Sequence, residues 1–95
     1  MMLYIMVEVD GHTFEKSERK DKKLKVRYNN KTIHFGNPFY EHFHDRTGIW
    51  SNKDHNDPKR RESYRKRHKA IRLKDGSLAY KDKNQPSYWS MNYLW

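Results

Sequence analysis

Two short clusters of histidine and aspartate lie near the middle of the chain and contain the side chains of a possible metal centre. They are His42, His44 and Asp45 in one cluster and Asp54, His55 and Asp57 in the other. Imidazole and carboxylate groups are suitable ligands for Zn²⁺ and other divalent cations. A metal-dependent nuclease of the ββα type is therefore one possible function, with ligands at His42, His44, Asp54 and His55.

The positions of these residues favour structural roles over a metal site. In ββα nucleases the catalytic histidine lies on a strand and a large loop precedes the helix, whereas Asp54 and His55 stand directly before a predicted helix. We expect Asp54 and Asp57 to cap that helix, because carboxylates stabilise the positive end of its dipole. We expect His42 and His44 at the surface or in turns, and we predict neither a metal nor another cofactor.

No other arrangement of side chains in the sequence predicts catalysis. No serine stands beside a paired base, and the four glycines are isolated, so they do not form a phosphate-binding loop. The absence of cysteine excludes disulfides, thiol catalysis and cysteine-ligated zinc. We therefore predict a protein that is not an enzyme and has no small-molecule substrate.

Most of the positive charge lies in one segment, PKRRESYRKRHKAIRLK, over residues 58–74. The chain has a formal net charge of +9, and this segment contains nine Lys and Arg residues against one Glu. Such a block attracts polyanions, and arginine suits bidentate contact with phosphate or carboxylate. A solvated helix face is the alternative interpretation. We predict binding of nucleic acid or an acidic protein surface through Lys59, Arg60, Arg61, Arg65, Lys66, Arg67, Lys69 and Arg72.

The basic segment is predicted to form a helix over residues 58–71. Asp57 is a favoured N-cap residue and Pro58 a favoured first helical residue. The apolar stripe of this helix is short and consists of Tyr64, His68 and Ile71. The helix should therefore rest on a small core with its basic face exposed. Tyr64 could stack on a nucleic-acid base, but we expect it to pack in the core, and His68 to be a half-buried ring.

The N-terminal residues 1–36 are predicted to be a β scaffold of two hairpins, or a sheet of three to four antiparallel strands. Turn residues Asp10-Gly11 and Asn29-Asn30 each separate two runs with strand composition. The predicted strands are residues 3–9, 12–14, 24–28 and 31–35. Residues 37–57 are predicted to be turn and loop, with a short helix or turn near residues 39–43, and residues 78–80 a short strand.

The core of this chain must be largely aromatic. Leu, Ile, Val and Phe account for only 16 of the 95 residues, a composition typical of disorder at this net charge, but aromatic residues make up 15%. The tail over residues 86–95 is rich in aromatic and other apolar side chains, so it must close the core or insert into a partner. The predicted anchors are Trp50, Trp89, Tyr93 and Trp95. We predict a single α+β domain over residues 1–95.

The sequence also argues against two classes of segment. No apolar run approaches the ~18 residues of a membrane-spanning helix. The first ten residues, MMLYIMVEVD, lack a basic region before the apolar stretch, so we expect no secretory signal peptide and no secretion.

Residues 36–68 and 86–95 contain a set of distinctive motifs. These are Tyr-Glu-His at residues 40–42, Asp-His-x-Asp at 54–57, Arg-Arg-x-x-Tyr-Arg-x-Arg-His at 60–68 and Tyr-Leu-Trp at 93–95, together with the Gly-x-Trp-Ser stretch at 48–51. With these motifs the chain resembles a group of small basic proteins of unknown function from large double-stranded DNA viruses of algae and protists. The resemblance implies a place in the virion or in the viral factory of an infected cell.

We therefore expect a small, basic, non-enzymatic structural protein of a large DNA virus. It would be a capsid-associated or genome-packaging component within a larger assembly, and it would bind an acidic surface through the basic helix. Two alternatives stay open. One is a sequence-independent nucleic-acid-binding factor in replication or transcription, and the other is the metal-dependent nuclease.

Overall fold

The computed structural model describes residues 6–95, and the first part of this chain is a four-stranded antiparallel sheet. The strands lie side by side in chain order, as β1 (Met6–Val9), β2 (His12–Lys16), β3 (Leu24–Tyr28) and β4 (Lys31–Phe35). The predicted antiparallel hairpins are confirmed. Residues 3–5, which were predicted to begin β1, lie outside the described residues.

Two tight turns determine the register of the sheet. The φ angles of Asp10 and Gly11 are 54° and 78°, and those of Asn29 and Asn30 are 54° and 59°. Positive φ at both central residues is typical of the two-residue turn whose twist matches that of the flanking strands. In the resulting register Phe14 lies opposite Val26, and Val26 lies opposite Ile33. One face of the sheet is therefore a continuous apolar surface.

Two α-helices follow the sheet, α1 at Pro58–His68 and α2 at Pro86–Tyr93, and confirm the α+β class. Helix α1 is shorter than predicted. The amides of Ala70 and Ile71 donate to carbonyls three residues back, and the Ile71 carbonyl accepts a hydrogen bond from Ala79. These bonds turn the chain away from the helix axis, and Ile71 is left 43% exposed.

The turns and short helices between these elements agree with one prediction and contradict another. The segment near residues 39–43 is a turn, in which the Tyr40 amide donates to the Asn37 carbonyl at 3.3 Å. The prediction of a short strand at residues 78–80 is wrong. Leu78 makes a single bridge to Arg72, and Ala79–Lys81 is a 3-10 helix. A second 3-10 helix covers Ser51–Lys53 in the loop before α1.

Helix α2 covers the apolar face of the sheet and completes the core. The buried cluster consists of Phe14, Leu24, Val26, Ile33 and Phe35 from the sheet and Trp89, Tyr93 and Leu94 from the tail. The Trp89 side chain is fully buried, with its ring centroid 5.9 Å from that of Phe14. Of the two roles predicted for the tail, closing the domain's own core is therefore observed.

The close approach of Gly36 to α2 gives a direct test of this packing. The φ angle of Gly36 is +82°, and a Cβ atom there would lie 2.9 Å from Cδ1 of Leu94. Gly36→Ala should lower the free energy of unfolding by about 2–4 kcal/mol in urea denaturation, because alanine is strained at positive φ and its methyl group overpacks against Leu94. Gly76→Ala is the control, because its φ is +87° with open space around the added Cβ. Equal effects of the two substitutions would contradict the packing of the tail against Gly36.

Candidate functional site

Helix α1, which contains most of the predicted binding residues, begins as the sequence predicts. The carboxylate of Asp57 accepts hydrogen bonds from the amides of Lys59 and Arg60 at 3.0 and 3.4 Å, and Pro58 is the first helical residue. The cap prediction is confirmed for Asp57. It is wrong for Asp54, whose carboxylate is used in a different network described below.

The inner side of α1 is a stack of aromatic rings. The ring of Tyr64 lies between those of Trp95 and His68, with centroid distances of 4.0 and 3.8 Å and interplanar angles of 6° and 17°. Burial raises the pKa of the Tyr64 hydroxyl to about 12 and lowers the pKa of the His68 imidazole. The predictions of a packed Tyr64 and a half-buried His68 are confirmed, and the Tyr64 ring is already occupied on both faces.

Three arginines and one loop bind the last main-chain oxygens of the tail. A helix C-terminus leaves its final carbonyls without helical partners, and cations are favourable there. Each oxygen from residue 91 to residue 95 accepts a hydrogen bond from outside α2. The pairs are Met91 with Arg65 Nη1, Asn92 with Arg46 Nη1, Tyr93 with the Arg46 amide, Leu94 with the His44 amide and Trp95 with Arg61 Nε.

These bonds divide the basic residues of α1 into two sets. Arg61 and Arg65 donate to the tail at 2.8 and 3.1 Å, and Arg60 forms an ion pair with Glu41 at 3.1 Å. Three exposed lysines, Lys59, Lys66 and Lys69, make no ion pair with the described residues. Because successive helical residues are separated by 100°, Lys59 and Lys66 lie about 100° or more from Arg61 and Arg65, whereas Lys69, the C-cap residue, lies beside Arg65. Arg60, Arg61 and Arg65 therefore attach α1 to the domain, and Lys59 and Lys66 form its outer face, with Lys69 at its C-terminal end.

The remaining two predicted contact residues lie at the edges of this surface. Arg67 is exposed and makes no hydrogen bond or ion pair through its side chain within residues 6–95. Arg72 lies beyond the end of α1 and donates to the Gly76 carbonyl at 2.8 Å. Arg72 therefore belongs to the turn after the helix.

Two shallow clefts lie beside Arg61 and Arg65. One, of about 310 Å³, extends from α1 to the loop before it and is also lined by His44 and Arg46, among others. The other, of about 480 Å³, lies along α1 itself, where Lys66, Lys69 and Glu62 also line it. Arg61 and Arg65 line both clefts, but each already donates a hydrogen bond to a tail oxygen.

The histidine and aspartate clusters meet in one hydrogen-bonded network. Asp54 Oδ1 lies 2.6 Å from His42 Nε2 and accepts the Asp45 amide at 2.8 Å, and Asp54 Oδ2 lies 3.0 Å from His44 Nδ1. His42 is fully buried, so its predicted surface position is wrong, whereas His44 is exposed as expected. His55 lies apart from this network, with its ring against Trp95 and Phe43.

A buried lysine that sequence reasoning missed completes this network. Lys23 is 2% exposed, and its ammonium group donates to His42 Nδ1 and to the Tyr40 carbonyl, both at 2.7 Å. Burial and the nearby Lys53 charge lower the pKa of Lys23 to about 8. Lys20 is exposed and Lys22 half-buried in the same charged segment, so no local pattern distinguishes Lys23.

The network uses the nitrogen atoms that a metal ion would need. Both ring nitrogens of His42 already have partners, Lys23 on one side and Asp54 on the other. In the part of the chain from residue 6 onward, no group of three or more His, Asp or Glu side chains is arranged to hold a metal ion.

Neither α-helix among residues 6–95 is long and apolar enough to cross a membrane.

The four predicted anchors all contact the chain's own core. Trp50 donates from Nε1 to the Lys23 carbonyl at 2.8 Å, and Trp89 donates to the Lys83 carbonyl at 2.7 Å. Tyr93 donates its hydroxyl to Asp10 at 3.1 Å, and Trp95 stacks on Tyr64. These rings therefore hold the fold together.

Comparison with protein-family models, with curated proteins and with solved structures gives no match to this chain.

The two sets of basic residues can be separated by their effect on stability. Arg61→Gln combined with Arg65→Gln should lower the free energy of unfolding by about 2 kcal/mol, because two tail oxygens lose charged donors. Lys59→Gln combined with Lys66→Gln removes the same charge from the same helix and should change it by less than about 0.5 kcal/mol. Urea denaturation measures the free energy of unfolding of both variants. Equal effects would contradict the claim that Arg61 and Arg65, but not Lys59 and Lys66, hold α1 to the domain.

The buried network predicts the protonation state of His42. The ring should be neutral with its proton on Nε2, because Lys23 donates to Nδ1 and Asp54 accepts from Nε2. Long-range ¹H–¹⁵N NMR spectra at neutral pH distinguish this tautomer from the others. A proton on Nδ1 would contradict the Lys23 contact.

His42 and three other histidines predict how stability depends on pH. Burial lowers the pKa of His42 below 6.5, and the Lys23 charge lowers it further; burial also lowers the pKa values of His34, His55 and His68. The folded state therefore holds these protons less tightly than the unfolded state, and stability should fall as pH drops below about 6.5. Urea denaturation from pH 7.5 to pH 5 tests this, and constant stability across that range would contradict it.

Proposed function

We propose that this protein is a small, non-enzymatic structural protein that binds the phosphates of nucleic acid through the outer face of α1. The observation that carries the proposal is the outward position of Lys59, Lys66 and Lys69. Their side chains are exposed and make no ion pair with any residue from 6 to 95. Cations that the fold does not use are free to contact a polyanion.

The arrangement of the lysines suits a backbone more than a single ligand. Lys59 and Lys66 lie two helical turns apart on one face, a rise of about 10 Å along the axis. Lysine acts as a point charge, and phosphate contacts position a nucleic acid without reading its sequence. Binding should therefore be independent of sequence and strongly dependent on salt.

The histidine network supports a binding role over a nuclease role. His42, which the nuclease hypothesis needs as a ligand, is fully buried and bonded through both ring nitrogens. Asp54 is shared between His42, His44 and the Asp45 amide, and this arrangement braces the loop before α1. These contacts account for the cluster without a metal.

The proposed viral setting rests on the resemblance of residues 36–68 and 86–95. A place in the particle, as a capsid-associated or genome-packaging component, predicts that the protein is present in purified virions. Mass spectrometry of such particles separates this role from that of a factor that acts only during replication or transcription. In the second case the protein would be found in infected cells but not in particles.

Charge reversal on the outer face tests the binding proposal. Lys59→Glu, Lys66→Glu and Lys69→Glu together should weaken binding to a DNA oligonucleotide at least tenfold at about 100 mM salt and reduce the slope of log K against log[salt] by about 2. Fluorescence anisotropy measures both quantities. Circular dichroism should show an unchanged fold, because these side chains have no internal role.

A matched control carries the same change in charge on other surfaces. Lys20→Glu, Lys31→Glu and Lys81→Glu together replace three exposed lysines away from α1. This variant should lose much less affinity than the α1 variant. Equal losses would show an effect of net charge alone, and competition by polyglutamate as strong as by DNA would indicate an acidic protein as partner.

A further inference from the structure

Two large aromatic side chains are exposed beside the cationic surface. Phe39 is 76% exposed and Tyr40 is 68% exposed, whereas the aromatic residues of α2 are packed in the core. Phe39 and Tyr40 are neighbours in the turn that joins the sheet to the loop before α1. Adjacent exposed rings cost hydration free energy in a free domain, so their position suggests a bound partner.

The turn that bears these rings is held by three hydrogen bonds. The Asn37 side chain accepts the Phe39 amide at 2.9 Å, and the Asn37 carbonyl accepts the Tyr40 amide at 3.3 Å. The buried ammonium group of Lys23 donates to the Tyr40 carbonyl at 2.7 Å. The rings are therefore presented by a main chain that is fixed to the interior of the domain.

Positive charge lies directly beside Tyr40. A cleft of about 440 Å³ separates the turn from α1, and its lining includes Lys23, Tyr40, Arg60, Arg67 and His68. Glu41 pairs with Arg60, but Arg67 is exposed and its side chain has no ion-pair partner among the described residues. Arg67 is separated from Lys66 by about 100° around α1, so the cleft lies on the side of the helix next to the outer lysines.

We propose that the protein binds single-stranded nucleic acid, with unpaired bases stacked on Phe39 and Tyr40 and phosphates on Arg67 and the α1 lysines. This inference rests on the proposed function and specifies its substrate class. Aromatic platforms beside a cationic groove are the means by which proteins bind single strands without sequence preference. A duplex offers its phosphates but not the faces of its bases, so it would use only the lysines.

Charge complementarity favours this partner over an apolar protein surface. A hydrophobic partner would have to bury Arg67 and the rim of the cleft without compensating charge, which is unfavourable. A single strand provides ring faces and phosphates at the same time. A protein partner is an outcome that the experiment below can reveal.

The test compares single-stranded and duplex DNA of equal length with the full chain in fluorescence anisotropy. Phe39→Leu with Tyr40→Leu keeps the apolar bulk and the charge but removes both rings. It should weaken binding of oligothymidylate about tenfold or more, change duplex binding less than twofold and leave the salt slope unchanged. Phe39→Trp, which offers a larger ring, should retain or strengthen binding of the single strand.

The outcomes separate this inference from the proposed function. Full binding of the single strand by the Leu variant, or an equal loss for single strand and duplex, would overturn the stacking inference alone. Unchanged binding of both DNAs by the variant with Lys59, Lys66 and Lys69 replaced by Glu would overturn the proposed function. If the protein binds an acidic polypeptide but not oligothymidylate, and the Leu variant loses that binding, the partner is a protein instead.

Discussion

The structure depends on the hydrogen bonds that the end of α2 receives from the rest of the chain. Five successive main-chain oxygens, from residue 91 to residue 95, accept donors from α1 and from the loop at residues 44–46. These bonds orient the segment that covers the sheet, and they attach a helix that has little apolar surface of its own. Without them, α1 would be held mainly by the stack of Tyr64 on Trp95.

This constraint changes the meaning of the basic segment. A charge of this density is expected to form one cationic surface, but Arg60, Arg61 and Arg65 have partners within the domain, whereas Arg67 and the α1 lysines have none among the described residues. Planar guanidinium groups can donate to a carbonyl while their remaining N–H groups face solvent, and lysine is better suited to a flexible contact with a phosphate. The fold therefore uses Arg61 and Arg65 to hold α2, and it leaves Lys59 and Lys66 exposed.

Local signals in the sequence predict the elements, and tertiary contacts determine the site. Asn29-Asn30 and Asp57-Pro58 specify a turn and a helix start through their own backbone preferences, and both are confirmed. Lys23 and His42 are buried because they complete a network with Asp54. The three residues are distant from one another in the sequence, so no local pattern could show that Lys23 and His42 are buried. The role of Arg61 depends on the main-chain oxygen of Trp95, a contact that residue types alone do not encode.

An NMR titration with oligothymidylate tests most directly whether Arg61 and Arg65 hold the fold while the α1 lysines bind. The Nε–H signal of Arg61, which donates to the Trp95 oxygen, should not move when DNA is added. The signals of Lys59, Lys66 and Lys69, and those of Phe39 and Tyr40, should shift. Large shifts for Arg61 and for the amides of residues 91–95, with the lysine signals unchanged, would contradict this account.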